Sequence, residues 1–319
     1  MKQTAKILLY TNFINDLSDG LIKELGDTYE TRAIANTRNN GVTKRGILIR
    51  HQEETIAPAI YLEDYYQKYC DGMCLSDIIR QVLYTYKEGV KENEDPKLDQ
   101  FELSPKAIQE KLIFRIVNYA KNAEALDDTP HIRFLNLVVT FQILVYQKED
   151  GIGTIHFTSK HYDTLTEIID NLSLEKLYQL ALTNTMRLFP PKLNSIEEVL
   201  ESFSLNKTTE QLPLEQAVHA NGNLYVLTNQ DGINGAGCLM YPGLIEKLEE
   251  YFQSKYYILP SSIHEVLLLP VRHSVEPEEL NDMIREINLT QVPEEEILSD
   301  CCYFSSNVQE TIQKLFSKD

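Results

Sequence analysis

The 319-residue sequence predicts an α+β fold of two or three lobes, each a mostly antiparallel sheet with helices packed on it. Three observations lead there. Short apolar runs come in pairs joined by turn residues, the pattern of hairpins. Between those pairs lie segments with apolar residues at helical spacing and charged residues on the opposite face. The chain is also long enough to bury more than one core, and its 43% hydrophobic content is that of a globular protein. The expected units are an N-terminal α+β unit over 1–95, a central β-rich and helical unit over 96–205, and a C-terminal ββαββα-type unit over 206–319.

In chain order, Phe13, Ile14, Leu17, Leu21, Ile22 and Leu25 form one helical face that ends at Gly26. Residues 29–35 and 46–51 read as the strands of a hairpin whose long tip holds Asn39-Asn40-Gly41. Residues 59–62 add a strand, and Ser76 is an N-cap candidate for a helix that faces inward with Ile78, Ile79, Val82, Leu83 and Tyr86. The charged stretch 91–100, with Pro96, suits an exposed connection. Residues 112–117 and the long β-branched run 132–146 open a second buried sheet, which 153–158 completes across the turn at Glu149-Asp150-Gly151. The next helix turns Leu174, Leu177, Tyr178, Ala181, Leu182 and Thr185 to one side and stops near Phe189, before Pro190-Pro191. Residues 202–216 are polar and form a second linker candidate.

The stretch 223–271 has the clearest pattern. Residues 224–228 and 236–241 read as strands around the turn Asp231-Gly232-Ile233-Asn234-Gly235, and an amphipathic helix follows with Leu244, Ile245, Leu248, Tyr251 and Phe252 inward. Residues 256–259 and 263–271 then form a hairpin around Pro260-Ser261-Ser262. In its second strand Ile263, Glu265, Leu267 and Leu269 share one face, and His264, Val266 and Leu268 the other. A strand that is apolar on both faces is central or covered on both sides. Its polar start therefore places Ser261, Ser262, His264 and Glu265 at one sheet end; with Asn234 from the preceding turn they are the candidate binding site or polar clasp. A buried Glu265 needs a partner or an opening to solvent, because an unpaired buried charge is costly. Pro277 then starts a helix with Leu280, Met283, Ile284 and Ile287 inward, 297–304 reads as a last strand, and Val308, Ile312, Leu315 and Phe316 mark a closing helix.

The formal net charge is -18, and residues 201–319 alone carry 19 acidic against 7 basic side chains. Such a field repels nucleic acid and anionic membrane surfaces, and favours either a basic protein partner or simple solubility. No apolar run approaches the roughly 20 residues of a membrane span. The apolar core of residues 2–10 is too short for a signal peptide, so a cytoplasmic protein is expected. Cys70, Cys74, Cys238, Cys301 and Cys302 are an odd set, read as free thiols. Cys70 and Cys74 have a zinc-knuckle spacing but no second pair nearby, and Cys301 and Cys302 read as small core residues of a strand. The histidines form no metal-binding pair on a helix face. No metal or cofactor is expected. The glycines at 232, 235 and 237 are in the wrong order for a dinucleotide loop and suit a turn.

Ser262, His264 and Glu265 bring a nucleophile, a base and a carboxylate into one short segment, but a triad is recognised by geometry, and a regular strand points His264 and Glu265 opposite ways. No Gly-x-Ser-x-Gly elbow is present. A second polar cluster, Arg115, Asn118, Tyr119, Asn122, His131 and Arg133, borders the apolar strands of the central unit.

Asn39-Asn40-Gly41, Val117-Asn118-Tyr119 with Asn122, Pro130-His131, Asn184-Thr185, the 232–236 turn, Leu259-Pro-Ser-Ser-Ile-His-Glu265, Asn288 and Leu298-Ser-Asp300 occur along nearly the whole chain. Together they resemble an uncharacterised bacterial family, one of the domains of unknown function, and the 259–265 string is the most specific element. The chain departs from the family pattern at Lys44-Arg45 and Cys301-Cys302. The resemblance implies a cytoplasmic bacterial setting and carries no activity, cofactor or catalytic residue. The leading expectation is a non-enzymatic binding or regulatory protein. The alternatives are a hydrolase-like enzyme using Ser262, His264 and Glu265, and an acidic mimic that inhibits a nucleic-acid-binding protein through the face between Glu276 and Glu296.

Overall fold

Repeating apolar side chains on the first helix build the first core of the computed structural model, which describes residues 2–52, 59–92, 103–148, 151–199, 224–260, 262–271 and 276–316. The chain divides into two units, Met1–Arg38 with Val42–Phe101, and Asn39–Gly41 with Glu102–Asp319. Most of the connection expected at 91–100 and the linker candidate at 202–216 lie outside the described residues.

In the first unit α1 (Lys2–Leu25) precedes the antiparallel strands β1 (Tyr29–Thr37), β2 (Thr43–His51) and β3 (Ala59–Tyr61), then α2 (Glu63–Cys70) and α3 (Leu75–Glu92). Phe13, Leu17 and Leu21 of α1 join Ile47, Ile49 and Ile60 of the sheet and Ile78, Val82 and Tyr86 of α3 in one core. Gly26 ends α1 at a φ of 95°, a conformation that favours glycine, and its N–H returns to the Ile22 carbonyl at 2.8 Å. The expected cap at Ser76 is corrected. The Cys74 carbonyl already accepts from Asp77 and Ile78 at 3.1 and 3.3 Å, so Ser76 lies inside the first turn.

The second unit holds two antiparallel sheets. Its first comprises β4 (Leu112–Asn118), β5 (His131–Phe134), β6 (Leu137–Lys148) and β7 (Gly151–His156), preceded by α4 (Pro105–Lys111), with α5 (Tyr119–Leu126) between β4 and β5. The apolar run 132–146 is two strands because the chain reverses at Leu135, which has a φ of 56°, and Asn136. β4 pairs along one edge of β6, and β5 and β7 follow each other end to end along the other. After α6 (Ser159–Thr166), α7 (Leu174–Leu188) closes the β4 edge: Thr185 Oγ1 accepts from Phe114 N at 3.1 Å and Asn184 Nδ2 donates to the Leu112 carbonyl at 2.9 Å.

The remaining strands are β8 (Pro191–Ser195), β9 (Tyr225–Asn229), β10 (Tyr256–Leu259), β11 (Val266–Pro270) and β12 (Tyr303–Phe304), with α8 (Leu244–Phe252), α9 (Pro277–Thr290) and α10 (Ser305–Phe316). They form a five-stranded sheet in the order β12-β10-β11-β9-β8, so β11, apolar on both faces, is the central strand. Leu267 and Leu269 pack with Leu280 and Ile284 of α9, and Val266 and Leu268 are wholly buried.

Three local expectations are corrected here. Residues 236–241 are not a strand, because Gly235–Met240 winds as a 3-10 helix buried on every side, and a fully buried apolar run carries no period that separates the two. The strand expected from Ile263 begins at Val266, after a bend at Ile263 and His264. Of 297–304 only Tyr303 and Phe304 form a strand, paired with Ile258 and Tyr257, while Ile297 makes an isolated bridge to Ser262. Cys301 is consequently exposed and Cys302 half-buried, neither a core residue.

Candidate functional site

Two polar turns meet where β11 begins. Asn229 folds the first, its Oδ1 accepting from Asp231 N at 3.1 Å and Ile233 N at 3.3 Å, and its Nδ2 donating to the Ile233 carbonyl at 2.7 Å. Asn234 is left-handed, with a φ of 55°, and Gly235 follows so close to β9 and β11 that no side chain fits. This turn and the end of β9 are fastened to Ile263 and His264 at three points. The Asn234 N–H donates to His264 Nδ1 at 3.2 Å, Thr228 Oγ1 donates to the His264 carbonyl at 2.7 Å, and Ala236 N–H donates to the Ile263 carbonyl at 3.2 Å. An Nδ1 that accepts leaves the proton of the neutral ring on Nε2, which faces Glu296 Oε1 at 3.8 Å.

Of the residues expected at the site, Ser262, His264, Glu265 and Asn234 come together, and Ser261 lies outside the described residues. Ser262 is buried and pairs with Ile297, and its Oγ accepts from the His264 N–H at 3.0 Å. Its hydroxyl thus meets the backbone of His264 and not the imidazole, so the described residues form no nucleophile–base pair here. The nearby thiol of Cys238 is no substitute, since it donates to the Thr228 carbonyl at 3.3 Å and burial pushes its pKa up to about 12.

Glu296, the residue that completes the site, stands in the 3-10 turn Glu294–Glu296. The segment 294–301 is held by asparagine side chains rather than by a ladder. Asn40 Nδ2 donates to the Glu294 and Ile297 carbonyls at 2.8 and 2.7 Å, and Asn39 Nδ2 to the Glu295 carbonyl at 2.7 Å. Asn118, the N-cap of α5, reaches the Leu298 carbonyl at 3.0 Å, Asn288 the Ser299 carbonyl at 3.0 Å, and Asn136 the Ser299 hydroxyl at 3.0 Å. Asn122 locks Asn40 in place: its Oδ1 accepts from Asn40 N at 2.9 Å, and its Nδ2 donates to Asn40 Oδ1 at 3.0 Å and the Asn118 carbonyl at 2.7 Å. The Ile263 N–H then donates to the Glu296 carbonyl at 2.8 Å, and Ser299 N–H to the Pro260 carbonyl at 2.9 Å, which fixes the Glu296 turn beside His264.

The second polar cluster expected from the sequence divides. Asn118 and Asn122 serve this clamp, and Arg133 lies over the Tyr119 ring with its guanidinium carbon 3.8 Å from the centroid. Arg115 and His131 stand opposite Thr140 on either side of β6.

Glu265 is the electrostatic centre of the site. Burial raises its carboxyl pKa above the ordinary range, His264 lowers it, and Glu296 raises it again; among the described residues no lysine or arginine acts on it. A raised native pKa favours the protonated form, so this group stabilises the fold at pH below the usual glutamate value of about 4.3 and the contribution is lost as pH rises through the raised value. Glu265→Gln, which stays neutral, should melt above wild type at about pH 7 and level with it near pH 4. His264→Ala should do the opposite at neutral pH, losing about 1 to 3 kcal/mol because the Asn234 N–H is left without its acceptor. Thermal melts of both variants at the two pH values check the pair; a Glu265→Gln variant less stable than wild type at neutral pH would contradict the assignment.

Among the described residues no group of three His, Cys, Asp or Glu side chains is placed to hold a metal ion, and no helix is long and apolar enough to cross a membrane.

The chain belongs to a family of unknown function (DUF5688), whose model matches residues 10–306. That span includes every residue of the clamp and of the His264, Glu265 and Glu296 site. No curated protein and no solved structure matches the chain.

Proposed function

We propose that this chain is a cytoplasmic bacterial binding protein without catalytic chemistry, and that it takes a lysine or arginine side chain of a basic protein partner between Glu265 and Glu296. One observation carries the reading. The half-buried carboxyl of Glu265 is acted on by a second carboxylate and by one imidazole, with no fixed cation among the described residues that shift it. Such a group holds either a proton or a guest cation, and a cationic guest stabilises both carboxylates at once. The asparagine clamp supports the same reading, since a turn held through its own carbonyls presents Glu296 with little ordering left to do on binding. The acidic outer face of α9, with Glu278, Glu279, Asp282 and Glu286 exposed, extends the attraction beyond the contact itself.

The test is calorimetric titration of the whole chain with an oligolysine peptide. Glu265→Gln and Glu296→Gln should each weaken binding about five- to tenfold, while Glu278→Gln on α9 changes it less than about twofold. Affinity should fall as salt rises through physiological strength, where the screening length is about 8 Å. Equal losses in all three variants would reduce the interaction to net charge and overturn the proposal.

A further inference from the structure

The adjacent thiols Cys301 and Cys302 take no part in the Glu265 site. In a strand their side chains would point to opposite faces, but the chain bends at Asp300 and Cys301, and β12 begins only at Tyr303. Side chains make the bend. Ser299 Oγ accepts from the Cys301 N–H at 3.1 Å, and Asn281 Oδ1 of α9 accepts from the Cys302 N–H at 2.7 Å. Ser299 is wholly buried, Cys301 is exposed, and Cys302 is half-buried with its Sγ donating to the Pro277 carbonyl at 3.7 Å. The two thiols lie within electrostatic reach of one phenol: burial holds Tyr303 well above its ordinary range, and Cys301 and Cys302 each push it the same way.

We propose that Cys301 and Cys302 are a thiol–disulfide switch, in which Cys301 is modified by a low-molecular-weight disulfide and Cys302 resolves the adduct into a ring disulfide between the two. In the first step the Cys301 thiolate attacks the disulfide R–S–S–R, an S–S bond forms to Cys301, and one thiolate R–S leaves. In the second the Cys302 thiolate attacks the Cys301 sulfur, the ring closes, and the other R–S leaves. The cysteine pair loses two electrons and two protons, and the small disulfide becomes two thiols. The order follows from exposure. Cys301 is open to solvent, whereas burial raises the Cys302 thiol above its ordinary range, so Cys302 reacts once an adduct stands beside it. The ring is also easily reopened. Adjacent Cα atoms are about 3.8 Å apart across a trans peptide, short of the roughly 4.4 to 6.8 Å that disulfides usually span, and the strain makes the bond more reducible. Closing the ring turns the 301–302 peptide, which takes the Cys302 N–H away from Asn281 and frees the chain before β12 from α9. The inference is independent of the reading given to Glu265 and Glu296.

The experiment treats the folded full chain with oxidised glutathione, traps the remaining thiols and weighs the tryptic peptide 286–314, which holds Cys301 and Cys302 and no other cysteine. In the wild type this peptide should come out lighter by a pair of hydrogens and free of glutathione, and dithiothreitol should restore it. Cys302→Ser should keep a glutathione on Cys301. Cys301→Ser should take up glutathione at Cys302 at least about tenfold more slowly than Cys302→Ser does at Cys301, a difference that unfolding in urea should abolish. In the oxidised chain the Cys302 amide should exchange its hydrogen faster than in the reduced chain. A wild-type peptide that stays reduced or that keeps its glutathione unresolved overturns the proposal. So do equal rates in the two folded variants, and so does unchanged exchange at Cys302 after oxidation.

Discussion

Replacing Gly235 by alanine should cost the second unit about 3 kcal/mol or more, the upper end of what overpacking does, and lower its melting temperature by about 10 °C. A Cβ at this position would stand 2.2 Å from Thr228 Oγ1, 2.4 Å from the His264 carbonyl oxygen and 2.8 Å from Asn229 N. Two of those three atoms are backbone, so a side-chain rotation cannot relieve the crowding. The turn would have to lift from β9 and β11, and with it would go the Thr228 and Asn234 hydrogen bonds that hold His264. Gly232→Ala is the matched control. Its φ of 67° is strained for alanine, but a Cβ there meets nothing within 4 Å, so the expected cost is only about 1 kcal/mol. Calorimetric melts of the two variants check the ranking, and equal losses would mean that the close approach at Gly235 is not what the turn depends on.

The second large effect is expected at Asn122. Leucine has nearly the same shape as asparagine, but at this buried position it leaves the Asn40 N–H, the Asn40 Oδ1 and the Asn118 carbonyl without their partner. At about 1 to 3 kcal/mol for each buried group left unsatisfied, with partial rescue by water, Asn122→Leu should cost about 2 to 4 kcal/mol. Because Asn40 in turn holds the Glu294 and Ile297 carbonyls, the damage should spread to the Glu296 turn. Hydrogen exchange of the Ile263 N–H, which donates to Glu296, is the direct readout and should quicken. A stability loss that leaves this amide as protected as in wild type would show that Asn122 supports α5 alone.

These two positions also mark how far the sequence can be read. The turn at 231–235 announces itself by its glycines and asparagine, and the central place of β11 follows from its apolar faces, so the neighbourhood of Ser262, His264, Glu265 and Asn234 was legible. What Gly235 does was not, because the 3-10 helix behind it is buried all round and has no amphipathic period to read. The clamp left still less trace. Asn39, Asn40, Asn118, Asn122, Asn136 and Asn288 stand on four separate pieces of chain, and amides that bond remote carbonyls obey neither the 2-residue nor the 3.6-residue period on which sequence reading rests. Glu296 was visible only as one member of an acidic run, since a charge run has the same form in sequence whether its residues point to solvent or to a histidine. Asn118 did carry a local signal, a capping residue between a strand and a helix, although its second bond to the Leu298 carbonyl has no local counterpart.

The most direct test of the binding account is the titration of the Glu265 carboxyl, followed by carbon NMR with and without oligolysine. Alone, the group should titrate above the ordinary glutamate value of about 4.3, as its burial and the neighbouring Glu296 require. With the peptide bound, a cation replaces the proton as the partner of the two carboxylates, and the Glu265 pKa should fall. A Glu265 titration that stays where it was while the peptide is demonstrably bound would place the cation elsewhere and contradict the account.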